Sequence, residues 1–258
     1  MNHVNINAFY SLGGTFRSLG EIGNQRRFED LKGVLIGTRT MLARVLAGEF
    51  VPLARCAELG NTLDKEIEKF LLKYESRGSD FIKPEDARAV LFAALTFEDK
   101  LRHELDHLDV YYIAPKGTHA TLPLIENAET NLPADVVSRF DDKTLNDVRQ
   151  SGRCLALDAP TAAGFHILRA VESLIVNYID KLTGEPHGPK NRNWGAYIKV
   201  IRTAGGKIAI ADYLQHMKET FRNPIMHPEV TLTADEAFSL FNASLSALVQ
   251  LDNAIQAP

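Results

Sequence analysis

Two cysteines in 258 residues are too few for a disulfide framework. Cys56 and Cys154 lie far apart, each in an apolar helical context, and read as buried thiols of a reducing compartment. No apolar run reaches the roughly 18–20 residues that a membrane span needs. The stretch Met1-Asn2-His3-Val4-Asn5-Ile6-Asn7 has neither a basic n-region nor an apolar h-region, so no signal peptide is expected. These absences predict a cytoplasmic protein without membrane contact. Positive charge is not in excess either. The net charge is −4 with 24% charged residues, which excludes a basic nucleic-acid coat and leaves only a local patch for RNA or DNA. No Gly-rich phosphate loop ends in Gly-Lys-Ser/Thr, and no G-x-S-x-G elbow is found. No internal repeat or low-complexity segment stands out.

What is present is a large apolar fraction, 45%, enough for one large domain or two modest ones. The first twenty or so residues, with Gly13-Gly14 and Gly20, show no clear period and read as a loose arm or peripheral strand. Helical spacing then predicts segments from near Asn24 to Ala47, from about Pro52 to Tyr74, and from Pro84 to about His107. Asp109-Val110-Tyr111-Tyr112-Ile113-Ala114 is the one convincing strand, and a second near Ala120–Leu124 completes a small hairpin. The polar stretch Glu126–Pro133 is the expected domain boundary. Beyond it the reading is helical throughout. The longest apolar helix runs from Thr161 to about Leu182 and stops at Gly184. The last runs from Ala234 to about Ile255, with Thr233-Ala234-Asp235-Glu236 as a capping box. The expected fold class is mainly α: a C-terminal antiparallel helical bundle over 133–258, and an N-terminal helical accessory region over 1–132 with a short hairpin near 109–124.

The chemistry concentrates in Phe221-Arg222-Asn223-Pro224-Ile225-Met226-His227-Pro228-Glu229. Each proline removes a donor and biases the residue before it, Asn223 or His227, away from helix. The preceding helix is therefore expected to stop near Arg222, leaving Arg222 and His227 in a short, stiff connector. Histidine moves protons near neutral pH, and arginine forks onto phosphate oxygens. Together the two can cleave RNA without a metal, His227 handling a proton at the 2′-hydroxyl or the leaving 5′-oxygen while Arg222 stabilises the phosphorane. Asn223 can orient the imidazole or hold a phosphate. By spacing alone a capping arginine and a backbone-bonded histidine carry more weight, since both residues are common.

Arg222-Asn223-Pro224-Ile225-Met226-His227 resembles the Arg-polar-x-x-x-His signature of the HEPN superfamily (higher eukaryotes and prokaryotes nucleotide-binding domain). Thr161 to Glu172 is similar to the early helix of bacterial members, and Pro228-Glu229 with Asp235-Glu236-Ala237 also fits. The likeness covers roughly residues 140 to 258. It implies an all-α homodimer acting as a metal-independent endoribonuclease in toxin or anti-phage defence. Arg222 and His227 are then the catalytic pair and Asn223 their polar companion. RNA is the implied substrate, an antitoxin or trigger protein is a possible partner, and no cofactor is called for. The alternative is a non-catalytic nucleotide- or protein-binding module of the same fold.

Other residues compete with this site. His166, Arg169 and Glu172 are spaced by three off the apolar face of their helix. Glu172 can position Arg222, and His166 or Arg169 can line an RNA groove; a solvated Arg169–Glu172 pair is the plainer reading. His103-Glu104-Leu105-Asp106-His107 matches the H-E-x-x-H zinc pattern literally, with a third ligand to come from His119, Glu126 or Glu129. The charged Asp106 inside the motif, flanked by Arg102 and Asp109, argues instead for a charged helix end, and no metal site is expected. The Lys190-Asn191-Arg192-Asn193-Trp194 loop can meet a nucleic-acid backbone with stacking from the indole, though Trp194 is most simply a core residue.

Overall fold

The computed structural model describes residues 6–22, 26–50, 53–76, 81–116, 119–186 and 193–257, and over these the chain is all-α. It divides into two compact units, Met1–Val110 and Tyr111–Pro258.

The first unit contains α1 (Ile6–Gly20), α2 (Phe28–Leu46), α3 (Ala57–Glu75) and α4 (Pro84–Leu105). Each helix packs on the next, and α1 closes against α4. Leu12, Phe16, Leu19, Leu35, Leu63 and Phe97 are among its buried side chains. Tyr74 stacks on Phe28 and Phe70, and its hydroxyl donates to Asp86 Oδ2 at 2.9 Å while accepting from Lys83 N–H. α1 stands where a loose arm or strand was expected. Its buried residues Ala8, Leu12, Phe16 and Leu19 follow helical spacing, and Gly13, Gly14 and Gly20 face open space. Gly13-Gly14 thus lies inside the helix. The expected starts of α2 at Asn24 and of α3 at Pro52 lie outside the described residues.

The second unit contains α5 (Thr121–Glu126), a 3₁₀ turn (Ala128–Asn131), α6 (Ala134–Val137), α7 (Asp142–Ala156), α8 (Pro160–Thr183), α9 (Trp194–Thr203), α10 (Ile208–Met217), a π turn (Lys218–Arg222), α11 (Asn223–Ile225) and α12 (Ala234–Gln256). α8 is its axis, packed by α7, α9 and α12. Pro160 sits in its first turn, and Gly184 caps it in the left-handed region at φ 73°. α12 opens with the expected capping box of Thr233 and Glu236. Arg139 reaches across to the buried Asp252 of α12 with Nη2 2.6 Å from Oδ2.

Two expectations fail here. No hairpin forms among the described residues: only isolated bridges occur, between Arg27 and Phe81 and between Lys116 and His119. Asp109–Ala114 forms no regular element, and Tyr111 and Tyr112 stand more than 80% exposed; the intended partner segment is the helix α5. The division also falls after Val110 and not near 132. Leu124, Ala128 and Leu132 belong to the core of the second unit. None of the described helices is long and apolar enough to cross a membrane.

Candidate functional site

Arg222 ends the π turn and His227 follows α11. The sequence predicted a helix stop near Arg222; the structure instead carries the helix through it. Arg222 (φ −63°, ψ −48°) and Asn223 (φ −66°, ψ −48°) are both helical. The physical reason lies in Pro224, which has no N–H and whose ring would crowd the carbonyl four residues back in an α-helix. The chain opens by one residue, and the Asn223 N–H reaches the Lys218 carbonyl. Tight turns then follow: Met226 N–H donates to the Asn223 carbonyl at 3.2 Å, His227 to Pro224 at 3.0 Å and Val230 to His227 at 3.1 Å.

This turn is pinned along α8. Ile225 is buried, and a methyl group on Gly164 would lie 3.5 Å from its Cδ1. Leu232 packs on the same glycine, and its N–H donates to Thr161 Oγ1 at 3.0 Å. At the other end Lys218 Nζ lies beside Gly195, 3.5 Å from where a methyl would stand. Arg222 and Asn223 are half-buried and His227 is exposed. Among the described residues, none of the three side chains forms a hydrogen bond or ion pair.

The second candidate set resolves differently. His166 Nδ1 lies 3.1 Å from Asp147 Oδ1, and Arg169 Nε lies 3.3 Å from Asp147 Oδ2. Arg169 therefore pairs across to α7 and not with Glu172. Glu172 Oε2 accepts from Trp194 Nε1 at 3.0 Å, and no ion pair joins Glu172 to Arg222 among the described residues. Trp194 is 1% exposed, so its indole is a core group and not a base-stacking platform. Lys190, Asn191 and Arg192 of the basic loop lie outside the described residues. Asp147 was missed from sequence. Its signal is its place on the buried stripe of α7, with Thr144, Val148, Ser151 and Leu155: a carboxylate there demands partners.

The H-E-x-x-H match is a helix-capping device. Glu104 accepts from the backbone N–H groups of Ala54, Arg55 and Cys56 at 2.6–3.1 Å, just before α3. Burial pushes its carboxyl up, but these amide bonds together hold it below its ordinary value. The Cys56 thiol is pushed up to about 12 by burial, with Glu104 beside it. Burial also raises Cys154, and both cysteines are free. His103 is exposed, and His107 turns its Nδ1 to the His103 carbonyl at 2.8 Å. No three metal-ligating side chains gather among the described residues.

One open cleft of about 500 Å³ lies between α2 and α3, lined by Ile36, Arg39, Asp64 and Leu71 among others. It belongs to the first unit, and its charges are already matched, Arg39 forking onto Asp64 at 2.7 and 3.0 Å. The Arg222–His227 turn therefore remains the better-founded site. Comparison with family models, curated proteins and solved structures gave no match.

Proposed function

We propose that this protein is a metal-independent endoribonuclease of HEPN type, with Arg222 and His227 as its catalytic pair and Asn223 as their companion. One observation supports the reading: a guanidinium and an imidazole share a turn held on α8 by Ile225, and neither side chain forms a hydrogen bond or ion pair among the described residues. Arg222 faces charge that develops on the scissile phosphate, and His227 handles a proton. Loss of one such charge-stabilising group costs a reaction of this kind about 10²–10³-fold.

The proposal includes a homodimer built on the second unit, which would bring two Arg222 and two His227 to one groove despite the net charge of −4. A role in toxin or anti-phage defence, under the control of an antitoxin or trigger protein, is the part that follows from the resemblance alone. The test is cleavage of RNA in the presence of EDTA by wild type and by His227→Ala. Wild type is expected to cut and leave 2′,3′-cyclic phosphate ends, while the variant stays folded and loses at least about 100-fold in rate. Binding without cleavage by wild type would identify a non-catalytic module instead.

A further inference from the structure

α4 buries one face and leaves the opposite face bare. Ala87, Val90, Ala94, Phe97 and Leu101 lie in the core of the first unit. Opposite them runs a stripe of Glu85, Arg88, Phe92, Leu95, Asp99 and Arg102, alternately three and four residues apart. That is the a/d spacing of a coiled-coil seam, which two helices share along their length by slight supercoiling. All six residues are exposed, Phe92 at 71% and Leu95 at 65%. Ala89 and Thr96 border the stripe on one side, and their small side chains leave room for a second backbone.

The charges of the stripe are not matched within the chain. Glu85, Arg88 and Asp99 form no hydrogen bond or ion pair among the described residues. Arg102 leans on Glu98 from 3.8 Å, with 69% of its side chain exposed. An exposed pair of that kind holds the guanidinium weakly. The order along the helix is acid, base, apolar, apolar, acid, base. Laid antiparallel on a second copy of itself, the stripe sets Glu85 against Arg102, Arg88 against Asp99 and Phe92 against Leu95. Laid parallel, each charge would face its own like. A foreign partner demands no such relation within one helix, whereas a two-fold contact does, because each patch must complement itself.

We infer that α4 is the seam of an antiparallel homodimer, in which two copies of this chain pair about a two-fold axis between Phe92 and Leu95. The two Phe92–Leu95 contacts form its centre. The charge pairs on either side fix its register and reject the parallel alternative. The seam spans about 26 Å of helix. It lies in the first unit and rests neither on the ribonuclease reading nor on the second-unit homodimer proposed with it.

The test uses the full chain with one new cysteine per variant, Phe92→Cys or Leu95→Cys, under mild oxidation at tens of micromolar. The antiparallel seam brings residue 92 of one copy against residue 95 of the other, within reach of a disulfide, and leaves the second Phe92–Leu95 contact whole. An equimolar mixture is expected to give the mixed disulfide dimer, identified by mass. Its yield is expected at least about tenfold above the self-linked dimers of either variant alone. Wild type, with Cys56 and Cys154, supplies the background. Arg88→Glu in both chains sets like charge against Asp99 and is expected to lower the yield at least about tenfold. Adding Asp99→Arg exchanges the two signs and is expected to restore it. Both side chains are exposed and unpaired, so the melting temperature is expected to stay at that of the parent variants. No mixed disulfide overturns the proposal and leaves the face to a different protein. Self-linked dimers as abundant as the mixed one overturn the antiparallel register. A yield indifferent to Arg88→Glu, or not restored by Asp99→Arg, overturns the charge match that selects a second copy.

Discussion

Single residues in this protein take their meaning from what they are bonded to. Glu104 belongs to a literal zinc-protease string, yet its oxygens accept backbone N–H groups from Ala54, Arg55 and Cys56. A charged acceptor serves these donors better than a neutral one. Glu104→Gln keeps an acceptor oxygen and loses the charge, and is expected to cost about 1–2 kcal/mol of stability at neutral pH by chemical denaturation. The pH dependence has a definite sign. The folded carboxyl titrates below its ordinary value of 4.5, so its stabilisation is fully present above that value and is lost as pH falls through the folded one. The gap between wild type and Glu104→Gln is therefore expected to close on acidification. A gap that stays constant down to low pH would show that charge is not what the amides respond to. Asp147 teaches the converse lesson. Nothing in its neighbours by sequence points to chemistry, and only packing brings it to His166 and Arg169.

At the scale of elements, close approach decides more than propensity does. α5 and the 3₁₀ turn lie on α7 at Gly152, where a methyl group would stand 2.3 Å from Ala128 Cβ and 2.6 Å from the Leu124 carbonyl oxygen. The obstacle includes backbone, so the elements must separate. Gly152→Ala is expected to destabilise the protein by about 1–3 kcal/mol, seen as a lower denaturation midpoint. A midpoint at or above that of wild type would mean that α5 is not held there. This contact explains why the hairpin reading fails. Val110, Tyr111, Tyr112 and Ile113 have high strand propensity, but a strand needs a ladder, and the segment meant to supply it is helical and packs on α7. Long amphipathic helices were legible because their apolar spacing is a local property: α8 and α12 lie within two residues of their expected bounds. α1 carried the same signal in Leu12, Phe16 and Leu19, but its glycines read as breakers. On an exposed helix face each costs only about 1 kcal/mol and interrupts nothing. At the candidate site the order Arg222 to His227 was legible. The π turn was not, because the pre-proline rule addresses one residue, whereas the turn redistributes the strain over five.

The whole molecule is two compact units, and their division has an experimental consequence. Composition suggested a cut in the polar stretch before Pro133, where Glu126, Asn127, Glu129 and Asn131 look like linker. Two apolar residues, Ala128 and Leu132, are interleaved there, and Leu124 stands just before them. Leu124, Ala128 and Leu132 are each under 7% exposed and lie in the same core as Val148, Leu155 and Ile167. Glu129 is no linker residue either: its Oε1 lies 2.7 Å from Arg149 Nη2 on α7. A fragment 111–258 retains these groups, whereas 133–258 strips the covering from α7. Removing buried leucines costs about 2–5 kcal/mol each, against about 5–15 kcal/mol for a whole domain. The longer fragment is expected to unfold in one cooperative transition with helical circular dichroism. The shorter is expected to melt broadly and to bind a hydrophobic dye. Equal cooperativity in both would put the boundary back near 132 and make the 111–132 segment an appendage. The Arg222–His227 turn lies in both fragments, so RNA cleavage by 111–258 alone would also assign the activity to the second unit. Loss of cleavage in a well-folded 111–258 would assign the first unit a part in it.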